Sequence, residues 1–379
     1  MTVTKANSDA LIKLQNVHLA TSWEKLDRNE ARCGVCERRC LISPEQVGFC
    51  KTRMNIRGEL YTIVYGDITS LAANPIEKKP FFHFWPGSHA LTIGTWSCNF
   101  TCPWCQNWDI SKYDPHPLDA NYISPEKLVN VTCTEKCQGT SISFNEPTLL
   151  LEYSLDLFPL ARRRGLYNTY VSNGYMTVEV LSLLKRAGID AIKFDVKGSG
   201  EAVKKYCGAD VDVVWRNIGE AKRLGLHVEV VFLMIPSVND DESTIRDVAA
   251  RHLKEAGPDT PLHFTQFYPT YQMIDRSATS VQALEKAHKM SREMGVRYVY
   301  IGNVLGHKFE NTYCPRCENT LIKRHGFDIV KIFLTEQSSC PKCGESIPII
   351  RSSPIPGVNN QKLKQVGLAG IEHNERDSF

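Results

Sequence analysis

No run of apolar residues in this 379-residue chain approaches the roughly 20 needed to cross a bilayer. Its opening stretch, MTVTKANSDALIKLQNVHLA, lacks the apolar core and small-residue cleavage site of a secretory signal. These two absences predict a cytoplasmic protein with no membrane partner. Runs of like charge are missing as well: Lys and Arg number 45 against 42 Asp and Glu, a formal net charge of +3, so no electrostatic footprint for nucleic acid stands out. A GxGxxG turn after the first predicted strand is also absent, which argues against a dinucleotide-binding fold.

What the chain has in abundance is cysteine. Fourteen thiols in a reducing compartment read as metal ligands or redox groups before they read as disulfides. Four lie near the N-terminus (Cys33, Cys36, Cys40, Cys50), three in GTWSCNFTCPWCQNW (Cys98, Cys102, Cys105) and four near the C-terminus (Cys314, Cys317, Cys340, Cys343). Cys133, Cys137 and Cys207 stand outside these groups and read as structural thiols, the first two sharing a helix face.

Between the terminal groups a unit repeats. Apolar, β-rich runs at 90–96, 140–144, 167–172, 191–196, 227–235, 262–267 and 297–301 alternate with segments of helical apolar spacing. Several helices end in a basic turn closed by glycine, at Gly165, Gly188, Gly225, Gly257 and Gly295. Strand and helix alternating in this way predict consecutive βαβ units and a parallel sheet, a full or partial barrel. Such sheets build their sites where strands end, and polar residues interrupt the apolar runs there: Asn145-Glu146-Pro147, Ser172-Asn173-Gly174 and Asp195-Val196-Lys197.

Three thiolates cannot complete a structural zinc site, which takes four protein ligands. On a 4Fe-4S cluster they would leave one iron open to a substrate. A zinc knuckle borrowing a fourth ligand from elsewhere is the competing explanation.

The C-x3-C-x2-C spacing, with Trp104 before the last cysteine, resembles the signature of the radical S-adenosylmethionine (SAM) enzymes. The segments ANPIEKKPFFHFWPGS, SFNEPT, VSNGY, KFDVKG, PLHFTQFYP and GNVLGHKFENTYCPRC extend the resemblance to the radical SAM proteins of the AmmeMemoRadiSam system, relatives of pyruvate formate-lyase activating enzyme. The ferredoxin-like insert that many glycyl-radical activases carry after the cluster loop is absent from this sequence. The resemblance implies an α/β fold built on a partial (β/α)6-type barrel, with small cysteine-rich metal-binding modules at both ends. It also implies a 4Fe-4S cluster on Cys98, Cys102 and Cys105, cleavage of SAM to a 5′-deoxyadenosyl radical, and hydrogen abstraction from a peptide or protein. The expected divisions are an N-terminal region at 1–85, the barrel at 86–305, a C-terminal module at 306–350 and a flexible tail at 351–379.

The same resemblance assigns Glu146 to the SAM amino group, Ser172 and Asn173 to positions along SAM, Asp195 and Lys197 to its carboxylate and ribose, and His263 to a weaker contact. An ammonium and a carboxylate on one ligand do call for an anion and a cation at the mouth. The competing readings are that Glu146 caps the next helix, that Lys197 is a solvated loop charge and that His263 is a core histidine. CPRC and CPKC, separated by 22 residues that contain a hairpin pattern, have the spacing of a zinc ribbon. The N-terminal C-x2-C-x3-C-x9-C set suits zinc, a single iron or another iron-sulfur cluster alike. A flavodoxin- or ferredoxin-type electron donor is the expected partner. Cobalamin-dependent methylation is the alternative reaction, although no D-x-H-x-x-G signature is present. A zinc-ribbon module binding nucleic acid or protein is the alternative of another class.

Overall fold

The computed structural model describes residues 10–351. All of the expected tail except Arg351 therefore lies outside the described residues.

An eight-stranded sheet forms the body, in the spatial order β14-β13-β12-β11-β10-β9-β8-β7. The strands are β7 (Ser70–Pro75), β8 (His89–Gly94), β9 (Gly139–Ile142), β10 (Tyr167–Ser172), β11 (Ala191–Val196), β12 (His227–Met234), β13 (Leu262–Gln266) and β14 (Val299–Gly302). From β8 to β14 every pairing is parallel, and β7 runs antiparallel along β8. Among the described residues β7 and β14 do not pair, so the sheet is an open, partial barrel. Its strands match the apolar runs of the sequence to within two residues, because those runs are buried on both faces: every residue of β9 is buried, as are five of six in β10 and β11.

The connecting helices start and stop where their sequences dictate. The hydroxyls of Ser124, Thr177 and Ser280 and the carboxylate of Asp241 each accept a bond from the backbone of the first turn. All five glycines predicted to close helices take positive φ, between +69° and +111°, where a Cβ would be strained. One expectation fails here. Helix Pro125–Thr134 ends before Cys137, with Lys136 turned into the left-handed region at φ +55°, so Cys133 and Cys137 do not share a helix face.

The large sheet also begins earlier than expected. β7 lies within 1–85, and the segment that follows it folds under the sheet. Fully buried Glu229, third residue of β12, accepts the backbone N–H groups of Phe82 (2.9 Å) and His83 (2.7 Å) and faces the rings of His227 (3.0 Å) and His263 (2.7 Å). Burial works against its charge, but the hydrogen bonds from His227 and His263 hold the carboxyl well below its ordinary range. His83 continues the network to the Tyr300 hydroxyl at 2.7 Å, and burial pulls its pKa down to about 3. Arg324 of the C-terminal module reaches in to the Phe82 carbonyl (2.9 Å) and the Thr312 hydroxyl (2.8 Å). The end of the barrel where the strands begin is thus closed by a buried polar network centred on Glu229.

Two small sheets precede the body. They are formed by β2 (Trp23–Lys25), β3 (Ala31–Cys33) and β4 (Leu41–Ile42), and by β1 (His18–Leu19), β6 (Glu59–Thr62) and β5 (Arg53–Ile56). Their side chains join the main core, and a buried ion pair, Arg53 to Glu152 at 2.7 Å, ties them to helix Leu151–Arg163. A three-stranded sheet of β15 (Thr312–Tyr313), β16 (Thr320–His325) and β17 (Asp328–Ile332) forms the C-terminal module, packed on Tyr298, Tyr300 and Phe82.

Removing Glu229 orphans four donors at once. Glu229→Ala is expected to lose about 3 kcal/mol or more of stability, at the upper end of the cost of unpaired buried polar groups, read as a drop in the urea midpoint. A loss below about 1 kcal/mol would show that the segment holds without it.

Candidate functional site

At the opposite end the polar strand ends converge. Cys98, Cys102 and Cys105 lie on the loop between β8 and the short helix Trp108–Ser111. This loop is fixed by its neighbours rather than by its own regular structure. Asn145, just past β9, accepts from Thr95 N (3.2 Å) and donates to the carbonyls of Trp96 (3.2 Å) and Ser97 (2.7 Å). Asn107 donates to the Phe144 carbonyl at 2.6 Å, and Lys112 to the Phe100 carbonyl at 2.8 Å. Ser97 and Phe144 both take positive φ, +66° and +67°, as the chain turns sharply off each strand.

Glu146 is fully buried. One of its oxygens accepts the Thr148 N–H (3.1 Å), the Thr148 hydroxyl and the Ser172 hydroxyl (2.8 Å); the other accepts the Asn173 N–H at 2.9 Å. It caps the turn Pro147–Leu150, as the competing reading held, and it also unites the ends of β9 and β10. Burial pushes its carboxyl above the usual range despite these donors. The Asn173 side chain then reaches Asn99 Oδ1 at 2.7 Å and the Cys98 sulfur at 3.9 Å. Glu146, Ser172, Asn173 and the cysteine loop therefore form one connected network.

Asp195 and Lys197 stand beside it. Asp195 sits between two ammonium groups, Lys193 and Lys197, the latter at 3.0 Å. Burial opposes its charge, but the two lysines win and hold its carboxyl down to about 2. For Lys197, burial is outweighed first by Asp195 and then by Cys102, which keeps its pKa above the ordinary value. It is not a solvated loop charge. Lys193 was not anticipated, although Lys193 and Asp195 alternate along β11 and Lys197 follows two residues on, just past its end, which puts all three on one side. Lys79 was also missed: it is buried with its ammonium 5.6 Å from the Phe144 ring, and burial, then Lys78 and Lys193, draw its pKa down to about 7.

His263 is not brought here. It lies in the network at the other end, bonded to Glu229 and stacked on Tyr300 at 5.0 Å, because its position near the start of β13 turns it toward the closing segment. The core reading of this histidine replaces the ligand contact. Cys207, 105 residues from Cys102 in sequence, lies with its sulfur 3.4 Å from that of Cys102. No local signal marked it. Its S–H lowers the Cys102 pKa and raises its own.

The thiol groups separate by geometry. Among the described residues, Cys314, Cys317, Cys340 and Cys343 are the one set of three or more such ligands whose donor atoms all lie within 4.8 Å of one another. Two of their sulfur pairs are 3.5 and 3.7 Å apart, close to the roughly 3.8 Å edge that a zinc-sulfur distance of about 2.3 Å gives a tetrahedron. A single zinc fits. The sulfurs of Cys98, Cys102 and Cys105 do not meet the 4.8 Å limit, as thiolates on separate irons should not. Beside them the Trp104 indole N–H is buried without an acceptor, which suits a group that carries sulfide acceptors.

The chain has relatives among known proteins. A family profile described as the Radical SAM superfamily matches residues 93–248. An uncharacterized protein of Methanocaldococcus jannaschii is 41% identical over 332 residues, covering 87% of this chain and 99% of the relative. Another protein of that organism, provisionally described as a glycyl-radical enzyme activating enzyme, is 23% identical over 60% of this chain and 93% of its own length. Among solved structures, a domain of pyruvate-formate lyase-activating enzyme from Bacteroides vulgatus aligns with a TM-score of 0.39 at 15% identity, covering 44% of this chain and 99% of that one.

Two outcomes are expected. Cys314→Ala or Cys340→Ala releases one zinc and lowers the urea midpoint, since a structural metal contributes folding energy directly; unchanged zinc content would remove the ribbon. For Lys79, the unfolded chain holds a proton up to about 10.5 that the folded chain releases at about 7. Stability should therefore rise with pH across that window, by up to about 1.4 kcal/mol per pH unit. In Lys79→Met that slope disappears, and a slope equal to wild type would return Lys79 to the solvated lysines.

Proposed function

Since the chain belongs to the radical SAM superfamily, we propose that it is an enzyme that reductively cleaves SAM and uses the 5′-deoxyadenosyl radical to abstract hydrogen from a C–H bond of a peptide or protein. The observation that carries this reading is the Asn173 bridge, which joins the Glu146 carboxylate to Cys98 at a single mouth. Cys98, Cys102 and Cys105 would hold the 4Fe-4S cluster, which supplies the electron for cleavage when bound.

The remaining roles belong to the chain itself. Glu146 keeps acceptor capacity on the oxygen that takes only the Asn173 N–H, and this oxygen receives the SAM ammonium. Lys193 and Lys197 together outweigh Asp195 by one charge, leaving a cation for the SAM carboxylate in a site largely removed from water. Ser172 and Asn173 hold Glu146 in place. Along the rim, Trp108 stacks on Tyr271 at 5.5 Å, and Trp108, Tyr268, Ile274 and Leu305 are exposed. Apolar exposure of this extent on loops beside a site suits docking of a polypeptide. The relative described as an activating enzyme supports the same substrate class. A flavodoxin- or ferredoxin-type protein is the proposed electron donor.

Anaerobic protein given SAM and dithionite should release 5′-deoxyadenosine and methionine, and the Cys98→Ala/Cys102→Ala/Cys105→Ala variant should release neither. Glu146→Gln, which keeps the shape but not the charge, should weaken SAM binding about tenfold with iron content unchanged. S-adenosylhomocysteine formed only with added cobalamin would indicate methyl transfer instead. Failure of iron-loaded protein to cleave SAM would overturn the proposal.

A further inference from the structure

The four N-terminal thiols play no part in the site described above. Cys33 ends β3, Cys36 and Cys40 follow on the next loop, and Cys50 precedes β5. All four line one small cavity, which they share with Arg38 and Arg53.

The chain contains its own ruler for what such a set encloses. Thiolates around one tetrahedral ion must all lie within about 3.8 Å of each other, and the C-terminal four approach this. Among the described residues no three of Cys33, Cys36, Cys40 and Cys50 meet even a 4.8 Å limit. In this they match Cys98, Cys102 and Cys105, and the comparison rests on the reading of those three as cluster ligands. Thiolates that each take a different corner iron stand apart in this way.

A second observation is independent of spacing. The Arg53 side chain is 1% exposed. Its terminal nitrogens are satisfied by Glu152 (2.7 Å) and the Leu149 carbonyl (3.1 Å), whereas Nε is buried without an acceptor. A buried, unpaired N–H costs about 1–3 kcal/mol, and a cluster carries thiolate and sulfide acceptors that would satisfy it. The cavity also adjoins the first site. Arg38, between Cys36 and Cys40, donates to the Asn99 carbonyl at 2.6 Å and to the Cys207 carbonyl at 3.4 Å, residues next to Cys98 and Cys102.

We infer that Cys33, Cys36, Cys40 and Cys50 hold a second 4Fe-4S cluster, separated from the SAM site by the wall that Arg38 and Asn99 form. Metal and sulfide analysis of the anaerobically reconstituted full chain tests this. Wild type should contain about eight iron and eight sulfide with one zinc. The Cys98→Ala/Cys102→Ala/Cys105→Ala variant should retain about four iron and, on reduction, an EPR signal that SAM does not alter. Cys36→Ser in that background should remove the signal; where that variant does not fold, the wild-type count decides. About four iron with two zinc in wild type, or an iron-free triple variant, would overturn the inference. If wild type still cleaved SAM in that case, the proposed function would stand while the second cluster fell. A triple variant that kept its iron beside a wild type unable to cleave SAM would show the reverse.

Discussion

A carboxylate buried inside a parallel sheet must draw its hydrogen bonds from the chain around it, and two such carboxylates organise the two ends of this barrel. At the end where strands begin, Glu229 gathers two backbone N–H groups and two histidines. This pins the Phe82–His83 segment beneath the sheet and presents Tyr300 to Thr312 of the C-terminal module. At the end where strands finish, Glu146 gathers donors from its own turn and from the end of β10. An open sheet of seven parallel strands has no covalent or symmetric device to hold its ends in register. These two sets of bonds supply one, because leaving any of the donors unpaired in a dry interior would cost more than the bond itself contributes.

The electrostatics of the mouth follow from the same constraint. Lys79, Lys193 and Lys197 are all removed from water to some degree, and only Lys193 and Lys197 have a carboxylate partner in Asp195. The result is a cation surplus a short way from a carboxylate that is satisfied by neutral donors. A zwitterionic ligand is complementary to that arrangement. A neutral apolar ligand is not.

Much of this was legible because the physics that makes a parallel strand is local. Runs such as AIKFDV and HVEVVFLM are apolar along their length, and five of the helices close on a glycine that needs positive φ. Strand-end residues Glu146, Ser172, Asn173, Asp195 and Lys197 were found by that logic and do converge. His263 was not placed, since a histidine on an apolar strand looks the same whether it faces the mouth or the closed end, and only its long-range partner Glu229 decides. β7 escaped because an edge strand reading SLAANP has little apolar pattern to show. Cys207 and Lys79 reach the site from distant points of the chain. No spacing rule within one segment could bring them there.

The central claim is that the loop of Cys98, Cys102 and Cys105 and the carboxylate of Glu146 together form a single SAM site. Its most direct measurement is an anaerobic crystal structure with SAM, phased at the iron absorption edge. The account predicts iron density bounded by the three sulfurs, with the SAM amino group on Glu146 and its carboxylate on the side of Lys197. Iron density elsewhere alone, or SAM bound away from Glu146, would contradict it.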